Sequence, residues 1–185
     1  KRAHDLTIPA GTDKVVISSV VTGHGFGKDD ANCAEFCNHE HRFSMNGHVT
    51  QEDFPMAGNG TVSSDREGCA KSTDMGTVAN QKGSWPYGRA GWCAGQDTKP
   101  WVWDISNWVD WSGGANILQY QGLYNGVNYV PQNEQSGANQ DIRVVSYVIY
   151  YTNTSAGNSS IQMENAPPSQ AMNEGQPNGV QILEI

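Results

Sequence analysis

The residues best equipped for chemistry lie between Val20 and Cys93. This stretch holds all four cysteines, four of the five histidines, and an acidic residue, Glu35, enclosed between Cys33 and Cys37. A bridge across Cys33-Ala34-Glu35-Phe36-Cys37 would form a small, stiff ring. So short a loop contributes little chain entropy, but it fixes the direction of Glu35. A carboxylate on a rigid loop suits general acid–base work or hydrogen bonding to a polar ligand. The same residues equally describe a surface glutamate on a loop stapled for stability.

A second constellation is Gly83-Ser84-Trp85-Pro86-Tyr87-Gly88-Arg89-Ala90-Gly91-Trp92-Cys93. Indole faces stack on sugar rings, and a guanidinium donates a planar fork to carboxylates or carbonyls. All six tryptophans fall between Trp85 and Trp111. Trp101 and Trp103 alternate in a strand-like run and read as core fillers; Trp85 and Trp92, set among glycines, read as surface aromatics. His24, in the glycine-rich segment Thr22 to Gly27, joins them as a candidate substrate contact. His39-Glu40-His41 is a third pattern. On a strand edge both imidazoles would share one face, a start for a copper or zinc site that His24, His48 or Met45 could complete. The alternative is an exposed histidine pair beside the stapled loop. The glycine-rich segment lacks the G-K-S/T of a phosphate loop, and no G-x-S-x-G marks a serine nucleophile.

Composition narrows the setting. The formal charge is -8, with only 11 Lys and Arg in no stripe, which argues against nucleic acid as a partner. No run of about 18 apolar residues exists, so no membrane-spanning helix is expected. The cysteines fit no common zinc spacing. Pairing within each couple, Cys33 with Cys37 and Cys69 with Cys93, is the simplest of three possible connectivities. Such bridges imply a secreted, extracellular or periplasmic protein. Sequons at Asn59, Asn153 and Asn158 agree with that. The first residues lack the pattern of a secretory signal, so a mature form, or a piece of a longer chain, is expected.

These groups must be positioned by strands. Candidates are Leu6–Ile8, Val15–Val21, Arg42–Thr50 with a turn at Asn46-Gly47, Trp101–Ile105, Ile117–Gln121, Val127–Val130 after a turn at Asn125-Gly126, Arg143–Tyr151 and Val180–Ile185. Gln51–Thr77, Pro131–Gln140 and Met163–Gly179 read as irregular, and no convincing amphipathic helix appears. The expectation is an all-β, antiparallel jelly roll or β-sandwich of about eight strands with two disulfides. It would occupy residues 1–185 as a single domain.

Four blocks together resemble a known family: V-T-G-H-G-F-G, N-C-A-E-F-C, H-R-F-S-M-N-G and W-P-Y-G-R-A-G-W-C-A-G. They look like the C-terminal jelly roll of the peptide-N-glycosidase F family, over roughly residues 5 to 150. The resemblance implies hydrolysis, without a cofactor, of the amide between asparagine and the first N-acetylglucosamine of an N-linked glycan or glycopeptide. It implies two packed jelly rolls with the active site between them. It carries catalytic roles onto Glu35 and Arg89 and a sugar-walling role onto Trp92. The family's primary aspartate belongs to the N-terminal jelly roll and has no counterpart here, since the one Asp-Arg pair, Asp65-Arg66, lies in a disulfide loop. This chain would therefore need an N-terminal jelly roll, in the same chain or a separate one, and alone it should be inactive. Two alternatives remain: a non-catalytic glycan-binding or structural module, and a type II copper domain using His39 and His41, as in the related peptide-amidating monooxygenases.

Overall fold

A computed structural model describes residues 2–25, 33–58, 65–79, 83–129, 140–152, 163–164 and 180–184. The three sequons, the polar stretch 131–139 and most of 163–179 lie outside the described residues. Among the described residues there are ten strands: β1 (Arg2–Asp5), β2 (Thr12–His24), β3 (Glu40–Met45), β4 (His48–Asp53), β5 (Trp101–Asp104), β6 (Ile117–Tyr124), β7 (Val127–Asn128), β8 (Asp141–Thr152), β9 (Met163–Glu164) and β10 (Val180–Glu184). They form two five-stranded sheets. One runs β1-β6-β3-β4 with β7 on β6; the other runs β5-β2-β8-β10-β9. Every pairing is antiparallel except β9 on β10. The chain is an all-β sandwich with two disulfides. Short 3₁₀ segments occur at Ala70–Met75 and Ser106–Trp108.

The core follows from strand alternation, which sends successive side chains to opposite faces. Val15 and Ile17 of β2, and Val148 and Tyr150 of β8, face Phe43 and Met45 of β3 and Leu118 of β6; Ile105 and Trp108 close one end. Phe43 is fully buried and lies 5.2 Å from the Tyr120 ring and 5.5 Å from the Trp103 ring. Trp103, partly buried, packs against this core.

Turn chemistry sets the hairpins. Asn46 (φ 51°) and Gly47 (φ 81°) connect β3 to β4, and Asn125 (φ 51°) and Gly126 (φ 77°) connect β6 to β7. Positive φ at both central residues gives the turn whose twist matches the flanking strands. Local expectations differ at four places, one being Met163–Gly179, read as irregular, where Met163–Glu164 pairs with β10. The first strand is Arg2–Asp5 rather than Leu6–Ile8, because β6 supplies partners for residues 2 to 5 while Leu6 turns into the core. Gln51–Thr77 is not wholly irregular, since β4 runs to Asp53. The glycines after Val21 do not end β2; Gly23 and His24 still pair with Ile142 and Asp141 of β8.

Phe43→Ala should lower unfolding stability by about 3–5 kcal/mol through cavity formation. Urea denaturation followed by tryptophan fluorescence reads this directly, and a loss below 1 kcal/mol would contradict the assigned core.

Candidate functional site

Three segments far apart in sequence converge at one end of the sandwich: the end of β2, the loop 33–37 and the loop 84–93. Their backbones are laced together. Gly23 N–H donates to Ala90 O, Ala90 N–H donates to Glu35 O, and Glu35 N–H donates to Gly25 O, each at 2.9 Å. Gly23 permits this approach, since a Cβ there would collide with the Ala34 carbonyl and the Ala90 methyl. Gly91 sits at φ +82°, with Val21 O where a side chain would be. Disulfides Cys33–Cys37 and Cys69–Cys93 close the two loops, with Cα separations of 5.3 and 5.6 Å.

At the centre lies Arg89, whose side chain is 0% exposed. Its Nε donates to Glu35 Oε1 at 2.6 Å. Its Nη1 donates to the carbonyls of Trp85 and Tyr87, both at 3.2 Å, and its Nη2 to Ser84 Oγ at 3.1 Å. The guanidinium carbon lies 4.8 Å from the Trp92 ring centroid and 5.3 Å from that of Phe36. A buried guanidinium is tolerable only when paired and hydrogen-bonded in this way. Glu35 retains 13% side-chain exposure, and its Oε2 accepts from Gly25 N–H at 3.2 Å.

Trp92 faces outward from this pair. Its Nε1–H donates to Gly23 O at 2.8 Å, and its ring stacks on His24 at 5.3 Å with a 27° tilt. His24 Nε2 shares a 2.8 Å hydrogen bond with Thr22 Oγ1. Burial, then the charge of Arg143, holds the His24 imidazole below its ordinary pKa, so the neutral ring predominates at pH 7. Thr22, His24, Trp92, Gln96, Arg143 and Val145 line a cleft of about 520 Å³. An indole wall with hydroxyl, amide and guanidinium donors suits a hydroxylated ring.

A family model for the C-terminal domain of peptide-N-glycosidase F matches residues 1–150. The chain belongs to that family. Solved structures with the same fold include peptide-N-glycosidase F from Flavobacterium meningosepticum, described as a glycosylasparaginase. It is 23% identical, with a TM-score of 0.59, over 82% of this chain and 44% of that one. A peptide-N(4)-(N-acetyl-β-D-glucosaminyl)asparagine amidase is likewise 23% identical, with a TM-score of 0.59, over 84% of this chain and 45% of that one. PNGF-II is 15% identical, with a TM-score of 0.52, over 86% of this chain and 26% of that one. The chain thus spans less than half the length of these structures. No curated protein matches it.

Within this peptide-N-glycosidase F C-terminal domain, Glu35, Arg89, Trp92 and His24 come together. Trp85 does not join them: it lines a different cleft, of about 470 Å³, with Arg66, Lys71 and Pro86. Only its carbonyl reaches Arg89. Thr22, Gln96 and Arg143 escaped the sequence reading. Arg143 stands opposite Thr22 in the β2–β8 ladder, a register that no local pattern encodes.

The histidine pair departs from both earlier readings. His41 lies on β3, which is flanked by β4 and β6 rather than at a sheet edge. His39 and His41 are both 0% exposed, with ring centroids 6.1 Å apart. His41 Nδ1 shares a 2.7 Å hydrogen bond with the Tyr120 hydroxyl. Neither His39 nitrogen has a hydrogen-bond partner among the described residues, and its ring packs 4.5 Å from that of Tyr129. No group of three His, Cys, Asp or Glu able to hold a metal occurs among the described residues. Burial depresses the pKa of His39 to about 4 and, with the neighbouring His39 adding to it, that of His41 to about 3.

Two outcomes follow from this geometry. Replacing Arg89 with methionine strands Glu35 and two carbonyls, and should cost about 3–5 kcal/mol of stability in chemical denaturation. The second concerns acid. The unfolded histidines take up protons near pH 6.5, whereas the folded ones resist until about pH 4 and 3. Stability should therefore be insensitive to these groups above pH 6.5 and fall as pH drops below it, by at most about 1.4 kcal/mol per pH unit for each histidine. Unfolding curves between pH 6.5 and 4.5 test this; His39→Leu should flatten the slope.

Proposed function

We propose that residues 1–185 form one jelly-roll domain of a secreted amidase that hydrolyses the asparagine–N-acetylglucosamine amide of N-glycoproteins. The observation that carries this is the enclosed Glu35–Arg89 pair with Trp92 and His24 at its outer side, in a chain of the peptide-N-glycosidase F C-terminal family. The disulfides suit an extracellular or periplasmic setting.

In this reading Trp92 and His24 wall the first sugar, and Glu35 orients the attacking water or the substrate amide. Arg89 is a positioning residue. Its side chain is 0% exposed, so it acts through Glu35 rather than on the glycan. Water adds to the side-chain carbonyl carbon of the glycosylated asparagine, the carbon–nitrogen bond breaks, and aspartate and a glycosylamine leave. This needs a proton acceptor for the water and a donor for the nitrogen. Glu35 is one group; the second is assigned to an N-terminal jelly roll bearing a carboxylate. No cofactor takes part. A non-catalytic glycan-binding module is the second reading, favoured by the lined cleft, which can hold a sugar without reacting with it.

Gel mobility of a denatured N-glycoprotein separates the two. Residues 1–185 alone should leave it unshifted. The longer gene product with an upstream jelly roll should shift it, and Glu35→Ala in that protein should slow the reaction by about 100-fold or more. Undiminished activity of Glu35→Ala would reject the assigned role. Glycopeptide binding by a longer gene product that never cleaves would favour the binding module.

A further inference from the structure

Five of the six tryptophans are engaged within the fold. Trp92 stacks on His24 and donates its Nε1–H to Gly23 O. Trp101, Trp103 and Trp108 each lie against another ring, and Trp111 donates its Nε1–H to Ser106 O. Among the described residues, Trp85 alone has neither a ring contact nor a hydrogen-bonded Nε1–H. An indole offers a large apolar face and one donor, and both are best used when something covers them. Trp85 is partly exposed, and it walls the cleft of about 470 Å³ with Arg66, Glu67, Ala70, Lys71 and Pro86.

Both walls of this cleft are fixed by backbone bonds. Cys69 and Ala70 N–H donate to Pro86 O at 3.0 and 3.3 Å, and Gly88 N–H donates to Asp65 O at 2.6 Å. Arg89 Nη1 holds the Trp85 carbonyl at 3.2 Å, and the Cys69–Cys93 disulfide ties the two segments together. The backbone that carries the indole is therefore set before any ligand arrives, which lowers the ordering cost of binding. The rim chemistry is equally defined. Lys71 Nζ is held by Asp65 Oδ2 at 2.9 Å. The Arg66 and Glu67 side chains are exposed and make no hydrogen bond or ion pair among the described residues. They offer a donor fork and an acceptor beside an aromatic plane. Asp65 and Glu67 balance Arg66 and Lys71, so the four together carry no net charge.

We propose that this cleft is a second carbohydrate site, which stacks a neutral sugar ring on Trp85 and hydrogen-bonds its hydroxyls through Arg66 and Glu67. Balanced charge gives an anion no advantage. Three charged side chains among six lining residues leave little apolar surface for a protein partner. A sugar matches both features, with an apolar ring face and a girdle of hydroxyls that donate and accept. The site is separate from the cleft at Trp92, since no residue lines both. It goes beyond the amidase reading and does not depend on it. On a glycan-bearing molecule, a second point of attachment raises the local concentration at the first.

Nitrogen–proton correlation spectra of the 185-residue chain resolve the indole N–H signals, and Trp85→Phe identifies that of Trp85. N,N′-diacetylchitobiose and mannobiose are the neutral probes, and sialyllactose is the anionic one. The Trp85 signal should shift saturably with a neutral probe, and sialyllactose should bind no more tightly. Arg66→Ala should weaken that binding about tenfold, with circular dichroism unchanged because the side chain is exposed. Its displacement of the neighbouring indole signal also assigns Trp85 if Trp85→Phe disturbs the loop. His24→Ala, in the other cleft, should leave the Trp85 curve unaltered. A Trp85 signal that neither neutral probe saturates would overturn the proposal. So would tighter binding of sialyllactose, or loss of the Trp85 response in His24→Ala, which would mean one continuous cleft. No readout uses hydrolysis, so the site stands or falls separately from the amidase reading.

Discussion

Everything at the candidate site depends on burying one guanidinium. Arg89 is removed from water, and a charge in that position is stable only if fixed acceptors replace its hydration. Glu35, Ser84 and the carbonyls of Trp85 and Tyr87 do so. Two of these partners are backbone, so the loop 84–93 can take essentially one shape around its own arginine. The third dimension comes from Glu35, 54 residues earlier, which ties the C-x3-C loop to that shape. The rings of Trp92 and Phe36 both pack against the cation, at 4.8 and 5.3 Å. The indole that faces the cleft is thus oriented by the same charge that orients the carboxylate.

The disulfides and the close-approach glycines act on the same object from outside. Cys33–Cys37 stiffens the segment that carries Glu35, and Cys69–Cys93 anchors the far end of the tryptophan loop to the 3₁₀ segment at Ala70–Met75. Gly23 lets the end of β2 serve as the floor against which both loops rest. The scaffold beneath is the long β2–β8 ladder, from Thr12 opposite Thr152 to His24 opposite Asp141. That ladder places Arg143 and His24 at one rim of the cleft. The buried pair His39 and His41 belongs elsewhere, to the aromatic packing between β3, β6 and β5. Its chemistry is that of a neutral core element with a cost in acid.

Much of this was determined by the sequence itself. Asn-Gly at 46–47 and 125–126 encodes two hairpins, because few other pairs accept positive φ at both positions. β-branched and aromatic runs mark β2, β5, β6 and β8, and cysteine spacing suggests the two short-range pairings. The grouping of Glu35, Arg89 and Trp92 was implied by the family resemblance that the four motif blocks carry, not by any spacing in this chain alone. What only the tertiary structure decided is register and enclosure. Alternation tells which residues share a face of one strand, but not which strand lies alongside or at what offset. For that reason Arg143 could not be placed beside Thr22, β3 could not be known to lie inside its sheet, and His39 and His41 could not be recognised as buried. Trp85 and Trp92 look equivalent in sequence, yet the fold of the loop around Arg89 sends them to different clefts. The full enclosure of Arg89 is likewise a property of the packed state: its acceptors exist as a set only once the three segments have met.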